Sequence, residues 1–154
     1  MIDSVDREIL LILQENARTS NAEIGRRVGL TASAVLERIK KLERGGVVEG
    51  YRAVVSPRPF GLSLLVFVSV RLGTMSGASR TGEEIAAMEG VEELYRMAGE
   101  DCFLAKVRCA DTDALVPILE RINDLEAVAG TRTNVALGAP KEGCGVRIPE
   151  TSGE

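Results

Sequence analysis

Apolar residues recur at helical spacing from the start of the chain. Val5, Ile9, Ile12 and Leu13 share one stripe, Leu10 and Leu11 widen it, and Asp3 is placed to cap it. This predicts a first helix ending near residues 16–18. A second, short helix follows from a Ser20 or Asn21 cap, with Glu23 in its first turn and Ala22, Ile24, Gly25 and Val28 on its apolar face; Gly29 stops it. Gly25 in a helix interior costs about 1 kcal/mol relative to Ala, which points to a close helix–helix approach. Thr31 caps a third helix, residues 32–44. Its apolar stripe is Val35, Ile39 and Leu42, with Leu36 at the edge. Ser33, Ala34, Glu37, Lys40, Lys41 and Arg44 face the other way, and Arg38 lies on the flank. After Gly45-Gly46, the stretches 47–48 and 51–55 read as two strands joined through Glu49-Gly50, a hairpin or wing.

A Pro/Gly-rich joint, Ser56-Pro57-Arg58-Pro59-Phe60-Gly61, interrupts the pattern. Residues 62–72 then alternate: Leu64, Val66, Val68, Val70 and Leu72 form a wholly apolar face, and Ser63, Leu65, Phe67, Ser69 and Arg71 a mixed one. A helix over 81–89, a strand over 91–98, a tight turn at Gly99-Glu100-Asp101, a strand over 102–109, a helix capped by Asp111 and a strand over 127–137, irregular near Gly130, complete the series. Pro117 is acceptable only near the start of its helix. The order βαββαβ with right-handed crossovers gives an antiparallel sheet with both helices on one face, a ferredoxin-like sandwich. The fold class is therefore α+β: a winged helix-turn-helix over 1–56, a linker over 57–62, the ferredoxin-like domain over 63–138 and a tail over 139–154 that is mobile or loosely packed. The other sheet face is left bare. With Leu65 and Phe67 at its centre it exceeds what a soluble monomer exposes, so these two residues are expected at a dimer interface.

Composition narrows the chemistry. His is absent from the 154 residues, which removes the commonest general base and metal ligand. The three cysteines, Cys102, Cys109 and Cys144, form no CxxC pair, and Cys102 and Cys109 read as strand filler. No metal and no cofactor is implied. No apolar run approaches the ~20 residues of a membrane span, and the N-terminus lacks a secretory pattern, so the expected compartment is the cytoplasm. The net charge of −4 hides an asymmetry. Residues 1–60 hold 10 Lys/Arg against 8 Asp/Glu, whereas residues 61–154 hold 9 against 15. A basic third helix behind a glycine turn, with a wing, points to double-stranded DNA. Thr31, Ser33, Glu37 and Arg38 are the candidates for base edges, Arg38 on guanine and Glu37 on cytosine. Lys40, Lys41, Arg44 and Arg52 suit phosphates.

The spaced positions Ile2-Asp3-x-x-Asp6-x-x-Ile9-Leu10, Gln14-x-x-Ala17-Arg18, Gly29-Leu30-Thr31, Arg38-Ile39-x-x-Leu42-Glu43-x-x-Gly46-Val47 and Gly50-Tyr51 resemble the N-terminal domain of the Lrp/AsnC, or feast/famine, transcription regulators. Gly90-Val91, the run Ala98-Gly99-Glu100-Asp101-Cys102-Phe103-Leu104 and Thr131-x-Thr133-x-x-x-Leu137 are similar to that family's C-terminal domain. The family usually has Ser at the place of Thr31 and Thr at that of Ala98. It often has an acid at that of Cys102, where this chain offers Asp101 one residue earlier. The resemblance implies a transcription regulator that reads two half-sites as a homodimer, assembles further to a higher oligomer such as an octamer, and responds to a small effector, typically an amino acid. That effector would bind at Gly99, Glu100 and Asp101, with Thr131 and Thr133 adding hydroxyls. Two other readings stand beside it: a sensor or assembly partner of the same fold without DNA binding, and an enzyme resembling the sirohaem decarboxylases, which the absence of His disfavours.

Overall fold

The structure, a computed structural model, describes residues 2–143 and 145–149; Cys144 lies outside them. The chain divides into two compact units, residues 2–54 with the described part of 141–154, and residues 55–140.

The first unit is built on three helices, α1 (Ser4–Glu15), α2 (Asn21–Val28) and α3 (Ala32–Arg44). Each starts at a side chain that can accept from a free helix N–H. Asp3 accepts from the Asp6 amide while the Asp6 carboxylate accepts from that of Asp3, a reciprocal capping box. Ser20 accepts from Glu23 N and Thr31 from Ala34 N. Ile9, Ile24, Val35 and Ile39 close the core, flanked by Val5, Ile12, Leu13, Val28 and Leu30. The turn between α2 and α3 explains Gly25, and not by a helix–helix approach. Gly29 adopts φ 73° and the chain folds back so that Leu30 N donates to Gly25 O at 2.9 Å. A Cβ on Gly25 would overlap the Leu30 carbonyl oxygen.

The expected wing does not form: residues 47–57 contain no strand. The cause is at the end of α3. Gly46 takes φ 68°, Gly46 N donates to Glu43 O at 3.0 Å and Val47 N to Leu42 O at 2.9 Å. This double closure spends, on the last helical carbonyls, the amides a hairpin would need. Tyr51 Oη donates to Glu43 Oε1 at 2.9 Å and holds the following segment to the same helix. The tail is described in part. Its described residues group with the helical unit, where Arg7 Nε donates to Pro149 O at 3.0 Å.

In the second unit, β1 (Leu64–Leu72), α4 (Ala78–Ala86), β2 (Val91–Arg96), β3 (Phe103–Cys109), α5 (Thr112–Asn123) and β4 (Val128–Val135) follow in the predicted order. The sheet order is β2-β3-β1-β4, antiparallel throughout. Val66, Val68 and Val70 of β1 meet Ile85 and Met88 from the α4 side and Leu115 and Ile122 of α5 in one core, with Leu64 and Leu72 packed at its margin. The register slips between Arg71 and Leu72, opposite Gly130. Helix α4 begins three residues earlier than expected because its buried face uses small side chains. Ala78, Thr81 and Gly82 are buried, and a Cβ on Gly82 would stand 3.0 Å from the Phe103 ring. Pro117 lies sixth in α5, beyond the first turn, on its exposed side.

Candidate functional site

Helix α3 buries Val35, Ile39 and Leu42 and turns Ser33, Glu37, Lys40, Lys41 and Arg44 outward, all exposed. At its start the Thr31 and Ser33 hydroxyls lie 3.1 Å apart, the first engaged in capping. Lys40 Nζ donates to Glu37 Oε1 at 3.1 Å, a surface pair that a nucleic acid can open at little cost. Among the described residues Lys41, Arg44 and Arg52 carry no ion pair. Arg26 and Arg27 of α2 are both drawn to Glu23, and these two cations hold the Glu23 carboxyl below its ordinary pKa. Lys41, Arg44 and Arg52 thus leave unpaired positive charge on the far half of α3 and the segment after it. Arg52 stands in that irregular segment, not on a wing.

Arg38 departs from the expected role. Its Nη1 donates to Asp3 Oδ2 and Asp6 Oδ1, both at 2.6 Å. Asp6 is 1% exposed and Arg38 about one-third. The pair of carboxylates pushes the Arg38 pKa up, with Asp3 the larger influence. A guanidinium turned inward to α1 and shared between two acids is not presented to a base edge. The helix pattern had put Arg38 on the flank; what it could not show was that the flank faces the capping box of α1, 32 residues away.

In the second unit the turn residues Gly99, Glu100 and Asp101 join β2 to β3, with Gly99 at φ 139°. Arg132 Nη2 donates to Asp101 Oδ2 at 2.5 Å. Thr131 and Thr133 stand elsewhere. They pair with Val70 and Val68, whose side chains point to the helices, and Thr131 Oγ1 donates to Asn123 Oδ1 of α5 at 3.3 Å. Directly paired residues share a face of an antiparallel sheet, so both threonines lie on the helix side. The five expected effector residues are therefore not one cluster. Arg132, between the two threonines in sequence, faces the other way; strict alternation along β4 was the signal for it. On that second face Leu65 is 7% exposed and Phe67 half-buried. Lys106 pairs with Glu92 and Glu93, and Arg108 with Glu92. Among the described residues no three His, Cys, Asp or Glu converge on a metal-sized site, and no helix is long and apolar enough to cross a membrane.

A helix-turn-helix unit with its outer helix face exposed, followed by a βαββαβ unit, defines a two-domain DNA-binding regulator. Residues 2–43 match the AsnC-type helix-turn-helix domain and residues 63–146 the Lrp/AsnC ligand binding domain. The chain belongs to the Lrp/AsnC family of transcription regulators. It is 37% identical over 146 residues to the leucine-responsive regulatory protein of Salmonella typhimurium, covering 92% of this chain and 88% of that one. AsnC of E. coli superposes with a TM-score of 0.85 at 29% identity, covering 92% of this chain and 96% of that one. A feast or famine regulatory protein from M. tuberculosis, complexed with L-methionine, superposes with a TM-score of 0.86 at 32% identity over the same shares.

Proposed function

We propose that this regulator reads duplex DNA with the outer face of α3, as a homodimer, and that a free amino acid adjusts its affinity. The observation that carries the reading is the division of α3 itself. One stripe is sealed in the core, and the opposite stripe of Ser33, Glu37, Lys40, Lys41 and Arg44 is exposed and carries Lys41 and Arg44, which have no ion pair among the described residues. The N-terminal part of such a helix meets base edges. Thr31, Ser33 and Glu37 stand there, Glu37 suited to accept from a cytosine amine. Lys40, Lys41, Arg44 and Arg52 fit phosphates, which set affinity and its salt dependence. Arg38 leaves the base-reading set and becomes the residue that fixes α3 against α1.

A second copy covering the sheet face at Leu65 and Phe67 gives the two-fold arrangement that a pair of half-sites requires, and further assembly to an octamer would follow from the family. The solved relative carrying L-methionine supports an amino acid as effector, and the Gly99–Asp101 turn offers backbone amides and acids to such a molecule. Regulators as relatives and a chain without His support binding rather than catalysis, in the cytoplasm.

Fluorescence anisotropy with the chain's own upstream DNA and a scrambled duplex, at two salt concentrations and with each of the twenty amino acids, tests this. Preference for the native duplex, with affinity falling steeply with salt and shifting with at least one amino acid, is expected. Equal, salt-insensitive binding to both duplexes, or none at low salt, refutes it.

A further inference from the structure

We propose that Leu36 reads a thymine, its isobutyl group meeting the C5-methyl of one T·A pair in each half-site through the major groove. This rests on the recognition role given to α3 above and adds to it a residue that makes no hydrogen bond.

The apolar stripe of α3 divides unevenly. Val35, Ile39 and Leu42 are 0%, 7% and 3% exposed, whereas Leu36 is 40% exposed and stands outside the core that the three helices close. At about 100° per residue, Leu36 lies roughly 60° round the helix from Ser33, about 40° from Lys40 and about 160° from Arg38. Arg38 is drawn to Asp3 and Asp6, so α1 covers the opposite flank. Glu43, two turns further along and about 20° away, accepts from Tyr51 Oη. The Leu36 flank is therefore the one beside which the segment carrying Arg52 is held. Ser33 one turn before and Lys40 one turn after are its neighbours on the outer face, at about 5–6 Å between Cβ atoms. A leucine thus stands between a hydroxyl suited to a base and a cation suited to a phosphate.

The chemistry of its surroundings selects the occupant. Ser33, Glu37 and Lys40 would have to give up water against an apolar protein surface, and a duplex groove leaves such groups paired or wet. On the major-groove edges, guanine, adenine and cytosine present only donors and acceptors, and thymine alone adds a methyl. An isobutyl group laid on the other three bases would exclude water from N7, O6, N6 or N4 and give nothing in return. On thymine it buries the methyl and is itself buried. Leu36 therefore discriminates twice, by attraction to one base and by exclusion of the rest.

The full chain is titrated by fluorescence anisotropy against the duplex from its own upstream DNA, with each thymine of the bound stretch replaced in turn by deoxyuridine, which lacks only the C5-methyl. One replacement per half-site should weaken the wild-type chain about fourfold, the equivalent of one buried methyl at about 0.8 kcal/mol. Leu36→Ala should bind the thymine and deoxyuridine duplexes equally, and Leu36→Met should keep the difference. Alanine suits an exposed helical position, so Leu36→Ala should match the wild-type chain on a scrambled duplex. At the position so identified, C·G should bind the wild-type chain more weakly than T·A, and 5-methylcytosine should recover about fourfold over cytosine. A deoxyuridine penalty that persists undiminished in Leu36→Ala, or no penalty at any thymine, overturns the assignment. Equal binding of the wild-type chain to the native and scrambled duplexes removes the recognition role of α3 itself, a result distinct from the other two.

Discussion

The Arg38 guanidinium lies 2.6 Å from the carboxylate of Asp6, a side chain with 1% of its surface exposed. The same Nη1 holds Asp3 at 2.6 Å. One cation therefore locks the capping box at the start of α1 to the flank of α3. The orientation of the outer helix face is set by a contact on its inner side.

Arg38→Ala is accordingly expected to act on stability and not on sequence preference. It leaves Asp6 buried without its cation, a loss of about 2–4 kcal/mol after allowance for the partial exposure of Arg38. Chemical denaturation of the helical unit measures this, and an Asp6→Asn, Arg38→Ala double-mutant cycle should return a coupling of the same sign. Binding to duplexes substituted at each half-site position should weaken uniformly. A loss of preference at one base pair would restore Arg38 to the recognition surface.

Acid should loosen the same junction. The Asp6 backbone N–H, and then Arg38, hold the Asp3 carboxyl below its ordinary value of 3.8. A carboxyl with a lowered folded-state pKa stabilises fully above its unfolded value, and that contribution is lost as pH falls through the lower one. Thermal unfolding followed from pH 6 to pH 2 should show the wild-type chain losing its advantage over Asp3→Asn below about pH 4. The gap between them should be flat above that. A gap that widened on acidification would contradict the linkage.

Much of this arrangement was legible in the chain because it is written in local terms. Asp3, Ser20, Thr31 and Asp111 cap the helices where their spacing to the next apolar residue places them, and the alternation from Leu64 to Leu72 puts Val66, Val68 and Val70 in the core under the helices, although Leu65 and Ser69 of the other face are buried too. The misreadings have a common origin in partners distant along the chain or in backbone chemistry. Val47 looked like a strand residue, but its amide goes to Leu42. Arg38 looked like a base reader, but two acids of α1 take it. The family resemblance puts Thr131 and Thr133 with Asp101, but their pairing with Val70 and Val68 sets both threonines on the helix side of the sheet. Helix α4 began early because Ala78 and Gly82 add no hydrophobic signal although both are buried.

Gly25→Ala should disrupt the helix-turn-helix more than its modest chemistry suggests. Helix propensity alone would favour Ala by about 1 kcal/mol. The added methyl would collide with the Leu30 carbonyl, backbone that cannot move without displacing the Thr31 cap of α3. Overpacking of this kind costs about 1–3 kcal/mol, enough to outweigh the propensity gain. A lowered denaturation midpoint with weakened DNA binding is expected. A more stable variant would show that the turn yields, and that Gly25 is dispensable to the approach.

Charge on the outer face should separate affinity from sequence preference. Lys41 is exposed and unpaired among the described residues, so it is free to neutralise a phosphate. Lys41→Ala should weaken native and scrambled duplexes alike, and should reduce the slope of log affinity against log salt by about 0.9, one phosphate contact. Glu37 sits one turn nearer the start of α3, and in the free protein its carboxylate is held by Lys40. Glu37→Ala removes a negative charge from a face that approaches a polyanion, so nonspecific binding should strengthen slightly. If the carboxylate accepts from a cytosine amine, preference at that base pair should fall by about 1–3 kcal/mol at the same time. Opposite signs on scrambled and native DNA are the signature of a base contact, because a purely electrostatic residue moves both together. A uniform gain on all duplexes would place Glu37 outside the groove and leave the N-terminal hydroxyls, Thr31 and Ser33, to read the sequence.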